Sequence, residues 1–229
     1  MDDELEAAKE RAWREVAAID EAHERGELDD EGWHQAIASL VVPAYLAADT
    51  PQGGSGSSRG EDGWERARSL VAASVQPGQT FLDIGCANGL LMESMASWAG
   101  VEPYGLEISP ELAELARRQL PHWADRIWVG NALHWEPPHP FAVVRTGLDY
   151  VPRRRRRELV EHVLAYANRL VIGVFNEERG KRVLECEVAA WGFEVAGRAD
   201  RPHPHPRLVY RAFWIDAAYQ TAARRAAAF

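Results

Sequence analysis

From Thr80 onward, short apolar runs alternate with stretches of helical periodicity, and this alternation restricts the fold more than any other feature of the chain. The runs are TFLDIG (80–85), PYGLEIS (103–109), RIWVGNAL (126–133), FAVVRTGL (141–148), RLVIGVF (169–175), FEVAGRAD (193–200) and RLVYRAFWID (207–216). Helical patterns fall between them at 89–100, 110–120, about 154–167 and about 180–191. Strands alternating with helices require crossover connections, hence a mostly parallel sheet covered on both faces. The last two runs are joined by RPHPHP with no helix between, so they are expected to pair as an antiparallel hairpin at one sheet edge. The expectation is an α/β fold with a doubly wound, seven-stranded sheet.

Ahead of Thr80 lie amphipathic helices. Leu5, Ala8, Ala12, Val16, Ile19 and His23 recur at three- and four-residue steps and stop at Gly26. Asp29 or Asp30 can cap a second helix carrying Trp33, Ile37, Leu40 and Val41, which Pro43 is expected to kink or restart. The stretch TPQGGSGSSRGEDG (50–63) is too rich in glycine and serine to promise regular structure, and reads as a linker or as a flap beside a site. Trp64 is expected to open a further helix ending near Pro77-Gly78.

Composition narrows the class. The 229 residues are 46% hydrophobic and 27% charged, with a net charge of −9, which disfavours nucleic-acid partners. Cys86 and Cys186 stand in no metal-type spacing, so no metal is expected. The acidic start MDDELEAAKERAWRE lacks signal-peptide character, and no apolar run approaches the ~18 residues that span a bilayer. A reduced cytoplasmic enzyme without a membrane partner is the expected class.

The first strand–loop–helix, FLDIGCANGLL (81–91), is where such a sheet would hold a nucleotide. A dinucleotide fingerprint begun at Gly85 would need glycines at Ala87 and Leu90; the second of these fails, and no phosphate-loop lysine follows. Asp83, two residues before Gly85, suits a ligand carrying a positive group and repels a pyrophosphate. The loop resembles the first motif of the class I S-adenosylmethionine-dependent methyltransferases, usually acid-x-Gly-x-Gly-x-Gly, with Ala87 in place of the middle glycine. Glu107, 22 residues after Gly85, stands where that family places an acid for the ribose hydroxyls. GNAL (130–133) resembles its third motif, with Asn131 replacing a more usual aspartate.

The resemblance covers about residues 64–216 and implies a Rossmann-like fold binding S-adenosylmethionine, with S-adenosylhomocysteine as product. The implied cofactor residues are Asp83, Gly85, Cys86, Ala87 and Gly89 of the loop, then Glu107 and Ile108. Asn131, Ala132, Leu133 and Thr146 complete the set. Residues 1–63 would form a helical cap with a Gly/Ser-rich flap, and 64–229 the methyltransferase domain.

The acceptor side would be built by TGLDYVP (146–152) and the N-terminal helices. Asp149 and His134 are the candidate catalytic residues; Asp149 serves equally well as a cap for the following helix. Tyr45, Trp64 and Tyr150 are the candidate substrate-binding residues, with core packing an alternative for the first two. No (D/N)PP(Y/F/W) tetrapeptide or Pro-Cys nucleophile of DNA methyltransferases is present. RRRRR (153–157) opens a helix and is expected to be a solvated face, and His203 and His205 lie in a proline-stiffened turn. The expected reaction is methylation of a small molecule, on oxygen first and on nitrogen or carbon second. A protein or RNA methyltransferase and a catalytically silent cofactor-binding module are the alternatives. Monomer and homodimer both remain open.

Overall fold

The structure is a computed structural model that describes residues 14–55 and 60–218. Leu5, Ala8 and Ala12 of the first stripe, and the tail from residue 219, lie outside the described residues.

Seven strands form one sheet in the order β3-β2-β1-β4-β5-β7-β6. They are β1 (Thr80–Ile84), β2 (Glu102–Glu107), β3 (Ile127–Val129), β4 (Phe141–Thr146), β5 (Ala167–Glu178), β6 (Gly197–Pro202) and β7 (Leu208–Asp216). β7 runs antiparallel to both β5 and β6, and the other six strands run parallel to one another. The hairpin expected from the last two runs is present, with β6 at the edge.

Because strand side chains alternate in direction, each central strand feeds two cores. Leu82, Ile84, Val144, Leu170 and Ile172 join one cluster with Leu159, Val160 and Val163 of α7 (Arg156–Leu164) and Val188 of α8 (Val183–Ala190). Phe81, Val143 and Val171 join the other, with Leu91 and Met95 of α5 (Leu90–Ala99). Burying each such side chain contributes roughly 1.5–3 kcal/mol. α6 (Pro110–Gln119) covers β2 and β3 and is capped by Ser109, which accepts from Leu112 N–H.

Strand order reverses at β1, since its chain successor β2 lies on one side and β4 on the other. The crevice this opens beyond the strands' carboxyl ends is the place a doubly wound sheet offers a ligand.

Over this crevice sit the N-terminal helices: α1 (described over 14–24), α2 (Asp30–Ala47), the single turn α3 (Pro51–Gly54) and α4 (Gly60–Arg68). Asp29 caps α2, accepting from Gly32 N–H at 2.8 Å. Pro43 does not restart the helix; α2 runs through it and forgoes only the bond that an N–H there would give Ser39 C=O. The described part of the Gly/Ser stretch is helical, against expectation. Thr50 accepts from Gly53 N–H at 3.1 Å, and Pro51 follows at the first helical position, so a cap and a pre-set φ nucleate the turn. α4 begins at Gly60 rather than Trp64 and passes into a 3-10 segment, Ser69–Ser74.

Candidate functional site

The loop after β1 is built from backbone bonds. Gly85 and Cys86 N–H both reach Leu106 C=O on β2, and Gly89 N–H returns to Cys86 C=O at 2.8 Å. Three of its residues have left-handed backbones: Gly85 (φ +73°), Ala87 (φ +48°) and Gly89 (φ +78°). At Gly85 the lack of a side chain is used, because a Cβ would lie 2.6 Å from the Tyr150 ring. Ala87 N–H donates to Glu107 at 2.8 Å, and Ser109 N–H donates to the other Glu107 oxygen at 3.0 Å. Burial pushes the Glu107 carboxyl up, while these backbone donors pull it down.

Two cavity lobes flank the loop, enclosing about 330 and 290 Å³ including space open to solvent. Gly85 and Tyr150 line both lobes, and the Tyr150 ring lies against Gly85.

The first lobe is polar. Asp83 shares a sheet face with its register partner on β4, Arg145. Arg145 donates to Asp83 and to the Tyr150 hydroxyl, each at 3.0 Å, and to Gly173 C=O. Asp83 is 1% exposed; burial pushes its carboxyl up to about 6, against the pull of the Arg145 guanidinium. Arg68 of α4 donates to Val174 C=O at 2.9 Å and lies 5.4 Å from the centre of the Trp64 ring. Tyr45, Ser55 and Asn88 complete the polar wall. Burial raises the Tyr45 phenol to about 12, so it stays protonated at neutral pH. Asn88 ties the loop to the helices above it by donating to Pro51 C=O at 2.9 Å.

The second lobe is a slot between Ile84, Leu106, Ile108, Gly130, Asn131 and Ala132, with His34 from α2 across its mouth. Asn131 Oδ1 already accepts from Leu133 N–H at 3.0 Å. Burial lowers the His34 pKa, and Nδ1 sits 2.6 Å from Asp30 C=O.

The structure thus gathers Asp83, Gly85, Cys86, Ala87, Ile108, Asn131, Ala132, Tyr45, Trp64 and Tyr150 around one groove. Gly89, Glu107, Leu133 and Thr146 support its walls without lining them. A Cβ on Gly89 would meet Leu120 Cδ1 at 2.5 Å, while Leu133 and Thr146 are buried in packing. Asp149 and His134 are exposed and line neither lobe. Trp64 serves both packing and site: its Nε1 donates to Ser94 Oγ at 2.9 Å while its ring edges the lobe.

Sequence reasoning missed Arg68, Arg145, His34, Ser55 and Asn88. Only Arg145 carried a local signal, as the single charge inside the apolar run FAVVRTGL. Arg153, Arg154 and Arg157 are exposed, as a solvated face would have them, but each arginine of the run also has a partner. Arg153 pairs with Glu24 (3.6 Å), Arg154 with His23 (3.0 Å), Arg155 with Asp30 and Glu158, Arg156 with Glu187 and Arg157 with Glu161. Three of the five therefore hold the N-terminal helices.

No protein-family model matches the chain. A curated relative, protein-L-isoaspartate O-methyltransferase of Gloeobacter violaceus, is 33% identical over 117 residues, which cover 49% of this chain and 55% of that one. The chain thus spans about half the length of that relative. Among solved structures, the N-methyltransferase NodS of Bradyrhizobium japonicum, in complex with S-adenosyl-L-homocysteine, is similar with a TM-score of 0.55 at 15% identity. That similarity covers 78% of this chain and 96% of NodS. The [4+2]-cyclase SpnF is similar with a TM-score of 0.54 at 13% identity, covering 78% of this chain and 92% of SpnF. At such identities the likeness is one of fold, and a fold shared by a methyltransferase and a cyclase does not set the reaction.

Proposed function

We propose that this chain, which has the Rossmann-like fold of the class I S-adenosylmethionine-dependent methyltransferases, binds S-adenosylmethionine and methylates a small-molecule acceptor, on oxygen in the first instance. The observation that carries this reading is the two-lobed groove at the strand-order reversal. One lobe holds a buried carboxylate, Asp83, beside Arg145; the other is an apolar slot edged by Asn131. Asp83 and Arg145 together complement an amino-acid head group, ammonium to the first and carboxylate to the second. The Ile108, Leu106 and Ala132 slot suits a flat base. Glu107 stands just behind the lining, held by the Ala87 and Ser109 N–H groups, and in this reading its remaining lone pairs take the ribose hydroxyls once the ligand reaches it. When bound, the cofactor supplies an electrophilic methyl on a sulfonium, and the chain's own work is to align the acceptor and exclude water.

The helices over the crevice support a small acceptor, since Tyr45 and Ser55 roof the first lobe. Each of the five arginines of the run lies within reach of an acid, and with the net charge of −9 this speaks against RNA as the acceptor. Asp149 and His134 stand outside both lobes, so neither acts as the base in this reading. In this reading residues 1–63 are the cap and 64–229 the transferase domain, a boundary that falls within α4. No described helix is long and apolar enough to cross a membrane.

The test is calorimetry with S-adenosylmethionine, S-adenosylhomocysteine and NADH. Micromolar binding of the first two and none of the third is expected; NADH binding alone would overturn the assignment. Glu107→Gln should weaken S-adenosylhomocysteine binding by roughly 1–3 kcal/mol, the scale for ribose hydroxyls left unpaired.

A further inference from the structure

The charges lining the first lobe do not balance. Its walls carry two guanidiniums, Arg68 and Arg145, against one carboxylate, Asp83. Arg145 is matched: it pairs with Asp83 at 3.0 Å and bonds the Tyr150 hydroxyl and Gly173 C=O. Arg68 is not. Among the described residues it donates to one carbonyl, Val174, and lies over the face of Trp64; Asp83, Tyr45 and Tyr150 act on it only at longer range, and no carboxylate forms an ion pair with it. Burial and the neighbouring Arg145 pull its pKa down, and Tyr150, Tyr45 and Asp83 oppose them only in part. Arg68 is half-buried, and a half-buried guanidinium with unused donors is a ready partner for an anion.

The proposed cofactor does not supply the missing charge. With its sulfonium and ammonium against one carboxylate it carries a net positive charge, so its binding would deepen the imbalance. Its head group also has partners nearer the loop, in the Asp83–Arg145 pair. Arg68 enters from a different wall, from α4 and against the strand β5, beneath Tyr45 and beside Trp64. That is the part of the lobe left for the acceptor.

We propose that the acceptor is a carboxylate-bearing small molecule whose carboxylate pairs with Arg68 in the first lobe, between the aromatic walls of Trp64, Tyr45 and Tyr150. This rests on the methyltransferase reading for the word acceptor, but the anion site itself does not. A guanidinium presents paired donors matched to the two oxygens of a carboxylate, and the Trp64 face holds the guanidinium plane in place. An acceptor anion also offsets the positive charge of the cofactor beside it.

The test is a titration of the full-length protein with benzoate and with its neutral analogue benzamide, with and without saturating S-adenosylhomocysteine, followed by NMR. Benzoate is expected to bind at least about tenfold more tightly than benzamide, the scale of one charge-assisted pair. Arg68→Met should bring benzoate to the benzamide level while changing S-adenosylhomocysteine affinity less than about twofold. Arg68→Lys, which keeps the charge, should retain part of the preference, and serves as the variant if the Met substitution does not fold. Three results would overturn the proposal: equal binding of the two probes, benzoate binding indifferent to both Arg68 variants, or a tenfold loss of S-adenosylhomocysteine affinity in Arg68→Met. The last would assign Arg68 to the cofactor's own carboxylate. If S-adenosylhomocysteine does not bind the unmodified protein, the methyltransferase reading fails, and benzoate against the ligand-free chain still decides the anion site.

Discussion

Asp83 meets opposing demands. In its proposed role it must be ionised to hold an ammonium, yet it is buried, and burial moves its carboxyl up to about 6 despite Arg145. Below that value the free protein carries a protonated, neutral Asp83, and the countercharge is lost. S-adenosylhomocysteine affinity is therefore expected to rise as pH increases from 5 to 7 and then level off, with a slope approaching about tenfold per unit on the acid side. Titrations across that range check it, and Asp83→Asn should flatten the profile at the weak-binding level. Ala87 is the other residue whose meaning the structure alters. By sequence it narrowed the loop by one methyl group; in the structure it also holds a left-handed backbone at φ +48°. A glycine is relaxed there, so Ala87→Gly should leave stability unchanged or raise it by about 1 kcal/mol, and should not weaken cofactor binding. Denaturant unfolding and calorimetry on that variant measure both; a loss in either would mean the methyl group is used.

At the level of elements, the motif residues divide into those that line the groove and those that shape it. Gly89 belongs to the second kind, ending the loop and opening α5 against Leu120 and Ala116. Gly89→Ala is expected to cost roughly 1–3 kcal/mol in unfolding free energy, from a strained backbone and a forced contact. The fraction that folds should bind S-adenosylhomocysteine with nearly unchanged affinity. Periodicity located every strand of the sheet, because residues alternating between two buried faces leave an apolar run. It misplaced edges where another force takes over. FEVAGRAD begins at Phe193, but β6 begins at Gly197, because Phe193 is committed to the core at 5% exposure instead of to the ladder. Thr50 and Pro51 carried a capping signal that the surrounding glycines and serines obscured.

For the molecule as a whole, the cap and the sheet are joined by a few polar contacts. Asp30 receives Arg155, lies 2.8 Å from His23 Nε2 and 3.7 Å from Arg154, while Asn88 reaches Pro51. Asp30 is partly exposed, so Asp30→Ala should lower stability by only about 1 kcal/mol or less. It should nonetheless speed proteolytic cleavage within residues 14–55 relative to the sheet domain, which a timed digest followed by mass spectrometry would reveal. Local pattern was enough for the parallel sheet, the glycine-bearing loop and the acids at the ends of β1 and β2, because each depends on periodicity or on spacing within a few turns of chain. The character of the groove was not legible in that way. Asp83 meets Arg145 across 62 positions and Arg68 meets Val174 across 106, contacts that exist only once strand order places β1 beside β4 and α4 over β5. FLDIGCANGLL carries in Asp83 the acid on which the proposal of a cationic ligand rests. The second, unmatched guanidinium beside it arrives from a distant helix, because side chains remote in sequence become neighbours only through packing.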